Sequence, residues 1–187
     1  MRKDFGAKPL LYPMPVLIIG TYDADGNADA MNAAWGGIAD DTKISICLSP
    51  THKTVANLKV KGAFTVSIAT AKYVAECDYL GIESGNKEPN KIGKAGLHAV
   101  KAPNVDAPMI EELPMCLECK VISYDDQTCR LLGEIVNVNA DESVLTADGK
   151  IDVQKLAPIT YDPSNHHYYQ LGEKVGNAFK DGSKFKK

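Results

Sequence analysis

With 187 residues, 44% of them hydrophobic, the chain has material for one sizeable core, and 21 basic side chains against 24 acidic ones give it no electrostatic case for nucleic acid or an anionic membrane. No apolar run approaches the roughly 20 residues that cross a bilayer, and Met1–Gly20 is a proline-broken apolar stretch instead of a signal peptide, so one cytoplasmic domain over residues 1–187 is expected. Five cysteines, an odd number, argue for thiols and against a disulfide framework.

Tyr12-Pro13-Met14-Pro15 holds the entry extended, and Val16–Tyr22 reads as the first strand. Asp25-Gly26-Asn27, at the centre of Asp23–Asp29, is a turn that makes a hairpin with the next strand. That strand runs into Met31-Asn32-Ala33-Ala34-Trp35-Gly36-Gly37, where small residues let a flat ligand approach the backbone and a glycine pair permits a tight turn. In Lys43–Ser49, Ile44, Ile46 and Leu48 alternate with Ser45, Cys47 and Ser49, the period of a half-buried strand.

After Pro50, Thr51-His52-Lys53-Thr54 opens a helix over Thr51–Lys59 that carries Val55 and Leu58. Unpaired N–H groups at a helix start, two hydroxyls and a fixed cation suit a phosphate. The same pattern also describes an N-cap beside a solvated lysine, and the small-residue strand also describes a close-packed sheet. Together, a platform for a flat ring and a seat for a phosphate suggest a nucleotide-like cofactor.

Lys61-Gly62 turns the chain into a strand over Ala63–Ala69, and Thr70 has the character of an N-cap for a helix over Ala71–Leu80. Gly81–Gly96 reads as a long polar loop, a length at which loops carry function or are disordered. Strands are expected at Leu97–Lys101, Met115–Tyr124, Cys129–Asn139 and His166–Leu171, with a helical turn at Asp141–Leu145, a reverse turn at Asp148-Gly149-Lys150 and a partly exposed tail over Gly172–Lys187. Cys116-Leu117-Glu118-Cys119 is a C-x-x-C, but residues three apart on a strand face opposite sides and no second pair follows at zinc spacing, so structural thiols are expected and no metal.

Short strands with a few brief helices favour a mainly β, closed or split barrel. Neither G-x-G-x-x-G nor the Walker pattern occurs, which removes a Rossmann site and a P-loop. Five stretches, Leu11–Val16, Ala30–Gly37, Ser49–Leu58, Asp78–Gly85 and Leu117–Lys120, occur in an order that resembles the flavoredoxin-like members of the flavin reductase-like, FMN-binding split-barrel family.

The resemblance implies a six-stranded Greek-key split barrel, a homodimer, and one FMN per subunit near the subunit boundary. It places Asn32, Ala33, Ala34 and Trp35 along the isoalloxazine and ribityl chain, and Ser49, His52, Lys53 and Thr54 at the phosphate. The loop with Ser84, Gly85, Asn90 and Lys91 borders the flavin, and Met14 is counted with the cofactor set. Asn90-Lys91-Ile92 departs from the family's usual Asp-Lys-Phe. The activity implied is electron transfer from a reduced nicotinamide or a redox-protein donor through FMN to an acceptor, with no catalytic side chain nominated; the alternative is a non-catalytic FMN-binding, storage or sensor protein.

Overall fold

The computed structural model describes residues 1–186; Lys187, the last residue of the expected tail, lies outside them. In chain order the strands are β1 (Met14–Pro15), β2 (Leu17–Tyr22), β3 (Ala28–Ala33), β4 (Gly36–Asp40), β5 (Lys43–Cys47), β6 (Ala63–Ile68), β7 (Ala99–Lys101), β8 (Pro108–Ile110), β9 (Met115–Asp125), β10 (Arg130–Ala140), β11 (Ile159–Asp162) and β12 (His167–Gln170). The helices are α1 (Lys53–Lys61), α2 (Val74–Ile82), α3 (Lys91–Lys94) and α4 (Val153–Leu156).

Seven strands make one antiparallel sheet in the order β3-β2-β6-β9-β10-β5-β4. Its edges, β3 and β4, are consecutive in the chain and joined only by Ala34 and Trp35. Six spacings of about 4.8 Å would hold the edges of a flat sheet about 29 Å apart. Three Cα steps reach at most about 11 Å, so the sheet must curl until its edges nearly meet. Register shifts between Leu132 and Gly133 and between Ile135 and Asn137 in β10 supply bulges that assist the bend.

The curl is filled by Leu17, Ile19, Ile44, Ile46, Leu48, Phe64, Val66, Cys119 and Leu131, with Val55 and Leu58 of α1 packed among them. The alternation of β5 thus points Ile44 and Ile46 inward as its period requires. Because β2 is covered on both sides, its other face places Ile18 in a second core with Ala30, Cys77, Leu80, Ile92 and Ile159. A continuous apolar strand is the pattern that two-sided burial demands. At the end of α1, Gly62 takes the left-handed conformation (φ 64°) and returns its N–H to Leu58 O.

Several elements differ from the sequence expectation. The Gly36-Gly37 pair opens β4 instead of forming a tight turn, since Cys47 N–H binds Trp35 O at 2.7 Å and carries the link straight into a β4–β5 hairpin. Thr70 caps nothing with its side chain; it bridges to Pro158, and Ala71–Tyr73 is a 3-10 turn ahead of α2. The loop expected over Gly81–Gly96 contains the end of α2 and all of α3, anchored by buried Ile92. His166 lies at φ 58° in the turn before β12, so the final strand starts one residue later. Cys119 faces the barrel core, while Cys116 lies on the opposite face beside Met109 and Asn139. Among the described residues, no helix is long and apolar enough to cross a membrane.

Candidate functional site

Where the end of β3 meets α1, α2 and the β11–β12 hairpin, two cavities adjoin. The larger, 440 Å³, is floored by Asn32, Ala33 and Ala34, whose short side chains leave the edge strand open to a ligand. Asn32 Nδ2 donates to Cys77 O at 3.0 Å and ties β3 to α2. That close approach needs Gly81, because a Cβ there would stand 3.0 Å from Asn32 Cβ.

Aromatic side chains form the opposite wall. Trp35, 49% exposed, is tilted against Tyr161 with ring centroids 6.4 Å apart. Tyr161 Oη and His166 Nδ1 share a hydrogen bond of 2.6 Å, and Tyr168 Oη donates to Asp78 Oδ1 at 2.8 Å. Burial, reinforced by Asp78, raises the Tyr168 pKa, so this phenol stays a proton donor at any physiological pH. The Cys47 thiol also lines this cavity.

The smaller cavity, 130 Å³, shares Met31, His52, Gly81 and Ile82 with the first and continues to Lys53, Thr54, Ser84, Gly85, Asp29 and Lys91. No side chain caps α1 at His52, and while the Val55 and Ala56 N–H groups turn back to His52 O, those of Lys53 and Thr54 keep their capacity for an anion. Lys53 Nζ lies 3.2 Å from Asp23 Oδ2, and Asp23 is pulled down to about 2, chiefly by the Asn27 backbone N–H with help from Lys53. Burial, and then the Lys91 charge, push the His52 pKa down, leaving a neutral imidazole at pH 7.

At the floor lies a buried pair. Lys91, 2% exposed, donates to Leu80 O at 3.2 Å and Glu83 O at 3.1 Å, and its Nζ is 3.6 Å from Asp29 Oδ1. Asp29, 4% exposed, accepts from Thr54 Oγ1 at 3.2 Å through Oδ2, whereas Oδ1 has no hydrogen-bond partner among the described residues. Burial raises the Asp29 carboxyl, partly opposed by Lys91 and Thr54, and burial lowers the Lys91 ammonium, partly opposed by Asp29. Gly85 makes room for the carboxylate: a Cβ there would come within 2.3 Å of Asp29 Oδ1.

The fold therefore gathers most of the residues nominated from sequence. Asn32, Ala33, Ala34, Trp35 and His52 line the larger cavity; His52, Lys53, Thr54, Ser84, Gly85 and Lys91 line the smaller. Three stand outside both. Met14 faces a separate groove with Pro13, Pro15 and Ile159, Ser49 Oγ bonds Thr51 Oγ1 at 3.0 Å, and Asn90 N–H bonds Glu88 Oε1 at 3.0 Å. Sequence reasoning missed Asp29, Asp78, Tyr161, His166 and Tyr168. An acidic residue set among Ala28, Ala30 and Met31 on a strand was a usable signal for Asp29; the four-residue β11 left none for Tyr161.

Residues 10–171 match the flavin reductase like domain. The chain superimposes on the flavoredoxin of Desulfovibrio vulgaris (Miyazaki F) with a TM-score of 0.93 and 40% identity, covering 97% of this chain and 100% of that one. It superimposes on an FMN-binding domain of a flavin reductases-like enzyme from Shewanella baltica OS155 with a TM-score of 0.76 and 20% identity, over 87% and 88% of the two chains. An uncharacterized protein of Aeropyrum pernix is 28% identical over 115 residues, which make up 60% of this chain and 43% of that protein, so the match spans less than half of that relative's length.

Proposed function

The chain belongs to the flavin reductase-like family, and from that premise we propose that it is an FMN-binding oxidoreductase that passes electrons from a reduced nicotinamide or a redox-protein donor to an acceptor. The observation that carries this reading is the pair of contiguous cavities, one a slot beside an aromatic wall and the other rimmed by Lys53, Thr54 and an uncapped helix start. A flat ring fits the first and a phosphate the second.

Asn32, Ala33, Ala34 and Trp35 hold the ring, and Lys53, Thr54, Ser84 and Gly85 hold the phosphate. When bound, FMN supplies the electron-accepting and electron-donating chemistry, so the side chains need only bind, orient and control access. Tyr168, fixed by Asp78, presents a hydroxyl that remains protonated. Trp35 and Tyr161 limit water at the open side, and the Tyr161–His166 hydrogen bond holds that wall in one arrangement.

The family resemblance also supports a homodimer. Ile38 of edge strand β4 is 69% exposed, and Ile122, Val136 and Val138 of the β9–β10 ribbon are 48%, 37% and 48% exposed, apolar surface that a second copy would cover. The reductase reading is tested by mixing the FMN-loaded protein anaerobically with NADH or NADPH. Bleaching of the visible flavin absorbance by either supports it. A flavin that binds tightly yet is bleached by neither nicotinamide, nor by reduced ferredoxin as a protein donor, would support the storage or sensor alternative.

A further inference from the structure

The smaller cavity holds a charge balance that bears on how it could take a phosphate. Two ammonium groups, Lys53 and Lys91, face it or its floor, and each already has a carboxylate partner: Asp23 for Lys53 and Asp29 for Lys91. Formally these four charges cancel. A phosphate monoester has its second pKa at about 6, so above pH 7 it arrives as a dianion. It would enter a site with no net positive charge, against a buried carboxylate whose Oδ1 has the Lys91 ammonium 3.6 Å away and no hydrogen-bond donor among the described residues.

One proton removes the conflict. Asp23 cannot take it, since the Asn27 N–H and Lys53 keep its carboxyl strongly acidic. Asp29 can: it lines the cavity yet is 4% exposed, its Oδ2 is already served by Thr54, and its buried Oδ1 makes no hydrogen bond among the described residues, with the Lys91 ammonium 3.6 Å away. Protonated there, it changes from an acceptor that repels the phosphate into an O–H donor, and Lys91 is released from its ion pair to act as an uncompensated cation.

We propose that FMN capture by this chain is proton-linked, with Asp29 taking up the proton as the phosphate enters. This rests on the FMN reading above. The other titratable groups facing Asp29 are Lys91 from α3, Lys53 and His52 at the start of α1, and Glu83 after α2, whose backbone carbonyl holds Lys91. Where Asp29 is ionised in the free protein and protonated in the complex, affinity falls as pH rises, by up to about tenfold per pH unit. Riboflavin, which has the ring and no phosphate, takes up nothing.

The experiment measures FMN and riboflavin affinities from pH 7 to pH 9 for wild type and Asp29→Asn, together with proton uptake by the wild type from a weakly buffered solution at pH 8. The expected results are an FMN affinity that drops tenfold or more across the range, a flat riboflavin profile, and uptake of about one proton per FMN. Asp29→Asn should show a flattened FMN profile and, at pH 9, tighter FMN binding than wild type. Its riboflavin affinity and circular dichroism report whether it has folded, and proton uptake by the wild type stands whether or not it has. A flat wild-type profile with no proton uptake, while FMN still binds more tightly than riboflavin, overturns the proton linkage alone. A slope that survives in folded Asp29→Asn assigns the proton elsewhere and overturns the role of Asp29. FMN and riboflavin binding alike at every pH would overturn both this inference and the phosphate placement beneath it.

Discussion

Replacing Lys53 by alanine separates a phosphate seat from an ordinary helix start. The Lys53 side chain is 30% exposed and its ammonium lies 3.2 Å from Asp23, itself 15% exposed, so one of its three donors is engaged and two remain for an anion. A charge-assisted hydrogen bond contributes about 1.5–3 kcal/mol. Solvent screening at a partly exposed site, and competition from Asp23, pull the expectation to the lower half, about 1.5–2 kcal/mol or about 10–30-fold in FMN affinity. Thr54, Ser84 and the backbone N–H groups of residues 53 and 54 at the start of α1 remain, so binding is weakened, not abolished. The fold should be little affected, because Asp23 keeps the backbone N–H groups of Asp25 and Asn27. Trp35 is the sole tryptophan and lines the larger cavity, which makes quenching of its fluorescence a direct reporter of flavin binding. Riboflavin affinity should be unchanged within twofold. Equal weakening of both flavins, or no loss for FMN, would refute the assignment of Lys53 to the phosphate.

Gly85→Ala forces a methyl against Asp29 Oδ1 and should lower stability by about 1–3 kcal/mol in a denaturant titration, with FMN weakened more than riboflavin. Glu118, fully buried, accepts from Asn104 N at 2.7 Å, from Asn137 Nδ2 at 2.7 Å, and from Asn104 and Asn139 Nδ2 at 3.0 Å each; Glu118→Ala orphans these donors and should cost about 3 kcal/mol in chemical denaturation. Burial works to raise the Glu118 pKa and the asparagine donors more than offset it, leaving it below the ordinary glutamate value. Its contribution is therefore present above pH of about 4.3 and lost as pH falls through the lower folded-state pKa, a component of acid unfolding that Glu118→Gln should remove from the melting profile. Thiol titration of the native protein should label exposed Cys47 first and Cys129 next, whereas Cys77, Cys116 and Cys119, pushed up to about 12, 11 and 12 by burial, should react only after unfolding. FMN should protect Cys47, and its absence of effect there would count against the ring site.

The barrel was legible where one residue period decided the outcome. Ile44, Ile46 and Leu48 alternate with polar neighbours, and the curl of the sheet buries them as that alternation requires. The open cavity floor at Asn32, Ala33 and Ala34 was legible because short side chains leave space whatever surrounds them. The charges of the smaller cavity were less so. Lys91 reads as a loop lysine in a polar, glycine-rich stretch, and only the docking of α3 against β3 carries it to 2% exposure beside Asp29. Nor could local pattern show that Tyr161 and Tyr168, some 130 residues beyond Asn32, fold back to wall the same cavity, because strand pairing of that range depends on tertiary packing more than on propensity.

A crystal structure of the protein grown with FMN compares the two cavities with the two ends of the ligand. The expected density has the isoalloxazine between the Asn32–Ala34 floor and the Trp35–Tyr161 wall, and the phosphate within hydrogen-bonding distance of Lys53 Nζ and Thr54. Flavin density in another cleft, a reversed orientation, or both cavities empty at saturating FMN would contradict it.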